Sequence, residues 1–100
     1  MPNFQMSVSH QLSEEEVLRR LHKLFQKARI HLSDTISEIQ EHWNGNICDL
    51  KFSVFGFHIS GRLTVKALAI DFEGELPFLA LFFKDKIEAV IRWQAAIILD

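Results

Sequence analysis

Cys48-Asp49-Leu50-Lys51-Phe52-Ser53-Val54-Phe55-Gly56-Phe57-His58-Ile59-Ser60-Gly61-Arg62-Leu63-Thr64-Val65-Lys66-Ala67-Leu68-Ala69-Ile70-Asp71-Phe72-Glu73-Gly74-Glu75-Leu76 is the stretch that decides the fold. Cys48, Leu50, Phe52 and Val54 alternate with Asp49, Lys51 and Ser53. After Phe55-Gly56, the residues Phe57, Ile59, Leu63 and Val65 alternate with His58, Ser60, Arg62 and Thr64. Beyond Lys66-Ala67, Leu68, Ile70, Phe72 and Leu76 alternate with Ala69, Asp71, Glu73 and Glu75. A period of two is that of a strand with one dry face. Tight turns at the two interruptions pair Val54 with Phe57, Phe52 with Ile59 and Leu50 with Gly61. They then pair Leu63 with Ile70, Gly61 with Phe72 and Ile59 with Gly74. Small residues thus oppose large ones, so the inner face fills without overpacking. On the outer face Arg62 falls between Asp49 and Asp71 as a structural polar network, and His58 faces Glu75. A slip of one residue would carry apolar side chains into water, which specifies the register.

Outward from this meander, Asn44-Gly45 is a hairpin signal that needs a strand before it. Glu38 to Trp43 is therefore expected as a short fourth strand. Phe4, Met6 and Val8 alternate with Gln5, Ser7 and Ser9, the pattern of a half-buried strand. Leu12-Ser13-Glu14-Glu15-Glu16-Val17 opens a helix: Ser13 caps it, Glu16 returns a bond to the cap, and Leu12 and Val17 form a hydrophobic staple. Val17, Leu21, Leu24 and Ala28, with Leu18 and Phe25 beside them, give its buried stripe. Spacing alone would carry this helix through Leu32, Ile36 and Ile39 to Trp43. Ser33-Asp34 and Ser37 compete for backbone bonds, and a break between Ile30 and Ser37 is expected instead.

Leu76-Pro77-Phe78-Leu79-Ala80-Leu81-Phe82-Phe83 carries no charge and no hydrogen-bonding side chain. It is too short for a membrane span, which takes about 20 residues. The domain's own core, a partner or an apolar ligand must cover it. A helix follows from Lys84 to Leu99, with Ile87, Val90, Ile91, Ala95 and Ile98 on one side, widened by Trp93 and Ile97. That arc is too wide for an ordinary surface helix, which either lies deep between the sheet and the first helix or meets another chain. The order β-α-β-β-β-β-α predicts an α+β domain: an antiparallel meander sheet with a long N-terminal helix and a C-terminal helix. Such a reduced helix-grip-like arrangement leaves an apolar gap between helix and sheet.

One hundred residues make a single α+β domain, 1–100, large enough to bury roughly two-thirds of its unfolded surface. Nine Phe and two Trp without any Tyr supply aromatic area that lacks a polar handle, which suits dry packing. A formal net charge of −2 gives no reason to expect nucleic acid. Cys48 is the only cysteine, falls in a strand pattern, and reads as a buried, reduced thiol. Met1-Pro2-Asn3-Phe4-Gln5-Met6 has neither the basic nor the apolar part of a signal peptide, and no transmembrane segment is expected. The expected compartment is the cytoplasm.

Three stretches are familiar together: Val8-Ser9-His10-Gln11-Leu12-Ser13, Phe52 through Leu63, and Leu76-Pro77-Phe78 through Phe83-Lys84-Asp85-Lys86-Ile87-Glu88. In this order they resemble the bacterial polyhydroxyalkanoic acid system protein family, small proteins associated with polyhydroxyalkanoate granule loci. The likeness spans nearly the whole chain and rests on pattern rather than on a catalytic signature. Many members carry Gly between the two closing lysines, where this chain has Asp85. The resemblance implies a role around storage-polyester granules and supplies no catalytic residues.

Phe78, Leu79, Phe82 and Phe83 are the candidate apolar contact or ligand-binding residues, with Lys84 and Lys86 at the rim. The plainer alternative makes the run a core-filling crossover, because exposed patches of this size are rare on monomers. Arg19, Arg20, Lys23, Lys27 and Arg29 could form an anion-binding face, but acids early and bases late in a helix also match its dipole. His10, His22, His31, His42 and His58 form no metal-ligand spacing, so no metal and no cofactor are expected. The expected function is non-catalytic: association with polyhydroxyalkanoate granules through an apolar surface or partner. One alternative is a carrier of a fatty-acid-like or hydroxyacyl ligand in a cavity under the C-terminal helix. Another is a structural homodimer.

Overall fold

The computed structural model describes residues 3–30 and 36–99. Its strands are β1 (Asn3–Ser9), β2 (Ile36–Asn44), β3 (Ile47–Val54), β4 (Phe57–Val65) and β5 (Ala69–Glu75). Its helices are α1 (Glu14–Ile30) and α2 (Lys84–Leu99), with a 3-10 helix at Phe78–Phe83 running into α2. The five strands form one antiparallel sheet in the order β1-β5-β4-β3-β2. The fold is α+β in the order β-α-β-β-β-β-α, as the sequence predicts.

The turn between Val54 and Phe57 uses Phe55 and Gly56, both at positive φ (52° and 83°), which matches the right-handed twist of a hairpin. The β3–β4 register is the expected one: Val54 opposite Phe57, Phe52 opposite Ile59 and Leu50 opposite Gly61. The β4–β5 register differs. Leu63 faces Phe72 and Gly61 faces Gly74, because Lys66 N–H donates to the Ala69 carbonyl at 2.8 Å and centres the turn on Ala67-Leu68. Moving a turn by one residue moves the register by two, so every side chain keeps its face. The outer-face partners change accordingly. Arg62 Nε donates to Asp49 Oδ1 at 3.1 Å and lies opposite Glu73, while Asp71 faces Thr64. Asp71 instead pairs with Lys66 and accepts from Ser7 Oγ at 2.7 Å, contacts that hold its carboxyl below the usual range. His58 sits across from Ser53, not Glu75, with Nδ1 3.1 Å from Ser53 Oγ.

The strand before Gly45 extends from Ile36 to Asn44, longer than the expected Glu38 to Trp43. Its turn occupies Gly45-Asn46, with Gly45 at φ 63°, one residue later than the Asn-Gly signal implies. An irregularity between Ser37 and Gln40 puts Glu38 at positive φ. A single helix reaching Trp43 is therefore excluded, and α1 ends at Ile30; the expected break itself, with His31, Leu32 and Ser33, lies outside the described residues.

At the start of α1, Ser13 Oγ accepts from Glu16 N–H at 3.1 Å. The expected return bond from Glu16 is replaced by bonds from Arg19 Nε (3.0 Å) and Arg20 Nε (2.9 Å). Two cationic donors outcompete one backbone N–H and hold the Glu16 carboxyl near a pKa of about 2. Val17, Leu21 and Phe25 are buried on the sheet side of α1. Among the inward strand residues, Phe72 makes tilted ring contacts with Phe4 (5.5 Å) and Phe52 (6.1 Å). Phe72 covers Gly61, and Phe72 with Phe4 covers Gly74; the two glycines face each other across β4 and β5.

His10 is buried and ties the β4–β5 turn to the start of the chain. Its Nε2–H donates to the Lys66 carbonyl at 2.8 Å and its Nδ1 accepts from Leu12 N–H. Cys48 is fully buried, and burial pushes its thiol up to about 11. A thiol that is both covered and protonated is a poor nucleophile. In the native protein Cys48 is expected to resist a disulfide-exchange reagent at neutral pH, and to react in step with unfolding along a urea series. Fast labelling without denaturant would contradict this core.

Candidate functional site

The apolar run reverses the usual rule of burial. Pro77 fixes φ at −56° and its carbonyl accepts from Ala80 N–H at 2.9 Å, which winds Phe78–Phe83 into a 3-10 helix. At three residues per turn, positions three apart share a face. Ala80 and Phe83 share one such face: Ala80 is fully buried, and the Phe83 ring lies 5.6 Å from that of Phe57. Leu79 and Phe82 share another face and point to solvent, 67% and 80% exposed, beside Phe78 at 71%. Leu76 alone anchors the start of the run in the core. The crossover is thus core-filling at only two positions, Leu76 and Ala80, and the aromatic side chains are left largely outside.

Lys84 is half-buried and Lys86 exposed at the beginning of α2, where the run ends. Neither has an ion-pair partner among the described residues. Two further exposed apolar features lie outside the site residues expected from the sequence. Phe55 occupies the β3–β4 turn beside Phe57, 45% exposed and held in the left-handed region where Asn or Gly is usual. A phenylalanine at such a position was the visible signal, since neither turn geometry nor core packing calls for it. The second is the outer side of α2, where Trp93 and Ile97 stand exposed one turn apart. The helix therefore does not lie deep in the molecule; only Ile87 is fully buried, with Ile91, Ala95 and Ile98 half-buried toward the sheet.

A second feature lies on the other side of α2. A half-open cavity of about 420 Å³ separates it from α1 and the inner face of the sheet. Met6, Leu50 and Phe72 line it from the sheet, Leu24 from α1, and Ile91 and Ile98 from α2. A second depression, of mixed polar and apolar lining, lies around Arg62, Asp49 and Glu73.

No group in Phe78–Phe83 can exchange a proton, ligate a metal or act as a nucleophile, so its chemistry is confined to dispersion and the exclusion of water. Residues 4–99 match a family described as "putative polyhydroxyalkanoic acid system protein". The chain belongs to that family. No curated protein and no solved structure matches it. That description associates the family with the polyhydroxyalkanoic acid system. No helix among the chain's described residues is long and apolar enough to cross a membrane.

Proposed function

We propose that this protein is a non-catalytic component of the polyhydroxyalkanoate system that docks on the apolar surface of polyester granules in the cytoplasm. The observation that carries the proposal is the exposure of Phe78, Leu79 and Phe82 on a short, well-anchored helical turn. Burying one such side chain contributes about 1.5–3 kcal/mol, and contiguous exposed apolar patches mark interaction sites more often than accidents. Phe83 and Phe55 widen the contact, and the stems of Lys84 and Lys86 lie along its edge with their ammonium groups in water.

The experiment is co-sedimentation of the purified protein with protein-free polyester particles, comparing the parent with Phe78→Ser/Phe82→Ser. The parent pellets and the variant, still folded by circular dichroism, stays in the supernatant. A folded variant that pellets like the parent refutes this contact site. A parent that forms dimers through the same residues and fails to pellet favours a homodimer instead, and sedimentation equilibrium distinguishes the two.

A further inference from the structure

The cavity beneath α2 has the makings of a site that surface docking does not use. Among the described residues its lining is apolar except for Lys27 and Gln94. Its volume of about 420 Å³ falls within the roughly 300–1,000 Å³ of small-molecule sites. It is also nearly three times the ~150 Å³ of an engineered apolar cavity that stays dry and binds benzene. Among the described residues Lys27 is the one charged member of the lining, it has no ion-pair partner, and no carboxylate joins it there. Lys27 is exposed and Gln94 half-buried, so the polar ends lie at the cavity's margin rather than in its depth. An apolar body with a single anionic end fits that distribution, and a cationic end does not.

We propose that this cavity binds one acyl chain ending in a carboxylate, its tail between α2 and the sheet and its head at Lys27 and Gln94. Two bonds keep α2 seated over such a tail. Arg20 Nη1 donates to the Ile98 carbonyl at 2.7 Å, and Arg92 Nη1 to the Ser7 carbonyl at 3.3 Å. The site stands apart from the docking face, because Phe78, Leu79 and Phe82 take no part in its lining. Either proposal can therefore fail alone.

The test is isothermal titration of the full chain with decanoic acid, 3-hydroxydecanoic acid and decylamine, all below their micelle concentrations. Saturable binding of one acid per chain, with decylamine at least tenfold weaker, is the expected result. The two acids distinguish an ordinary fatty acid from a polyester-derived hydroxy acid: tighter binding of the latter assigns a hydroxyl contact to Gln94. Lys27→Met weakens the acids by roughly threefold, the scale of an exposed charge contact. Ala95→Phe and the milder Ala28→Leu both fill the cavity and abolish binding, while Ile97→Ala on the outer side of α2 leaves it unchanged. Absence of saturable binding to the parent overturns the proposal without recourse to any variant. So does undiminished binding by the cavity-filled proteins, and equal binding of decylamine overturns the head-group assignment.

Discussion

Replacing Phe78 and Phe82 together by serine is expected to lower partition onto polyester particles by roughly a thousandfold. Each ring is more than two-thirds exposed in the free protein, so nearly all of its area is available for transfer out of water. At about 2 kcal/mol per ring the double replacement removes about 4 kcal/mol of contact. A factor of ten per 1.4 kcal/mol then sets the scale. Comparing two forms of one protein cancels the entropic cost of attachment, which is the uncertain part of any absolute affinity. Because the rings contribute little to the core, stability should move by less than about 0.5 kcal/mol. Coincident loss of binding and of folding would mean that the turn is structural after all.

The second large effect is expected at Gly61. A methyl group there would stand 2.6 Å from the Phe72 ring and 2.9 Å from the Gly74 Cα, and would also strike the Glu73 carbonyl. Two of those three neighbours are backbone in the adjacent strand and cannot move without opening the ladder. Gly61→Ala should cost about 2–3 kcal/mol, the range for overpacking a filled core. For a domain of this size that lowers Tm by roughly 10–20 °C. Gly74 provides the contrast, since the three nearest atoms to a methyl there all belong to the rings of Phe4 and Phe72. Gly74→Ala should therefore cost less in a Phe4→Leu background than in the parent, whereas Phe72→Leu should not rescue Gly61→Ala. Thermal melts of the two cycles measure the coupling directly. A Gly61→Ala protein as stable as the parent would show that β4 and β5 lie further apart than described.

The strand faces were legible because alternation survives any even shift. Leu63 and Ile70 both point inward whether they face each other or not, and the sequence carries no local signal for the two-residue shift. That shift depends on Lys66 closing on Ala69 and on His10 and its N–H reaching across to the Lys66 and Leu68 carbonyls. The two His10 contacts join residues far apart in the chain. The Asn44-Gly45 signal located the hairpin but not its centre, because glycine also suits the first turn position. The apolar run was legible as an anomaly, not as a surface: Phe78 and Phe83 read alike in sequence, and only the 3-10 geometry turns one outward and the other onto Phe57. The cavity was anticipated only as an architectural tendency. Its size depends on the distance between α2 and the sheet, which no residue pattern encodes.

Hydroxyl-radical footprinting, with and without polyester particles, addresses the proposed docking surface most directly. Phe78, Leu79 and Phe82 should be modified readily in the free protein and shielded when particles are present, with Phe4 and Phe72 unreactive in both. Equal modification of Phe78 and Phe82 under conditions that sediment the protein would place the contact elsewhere and contradict the account.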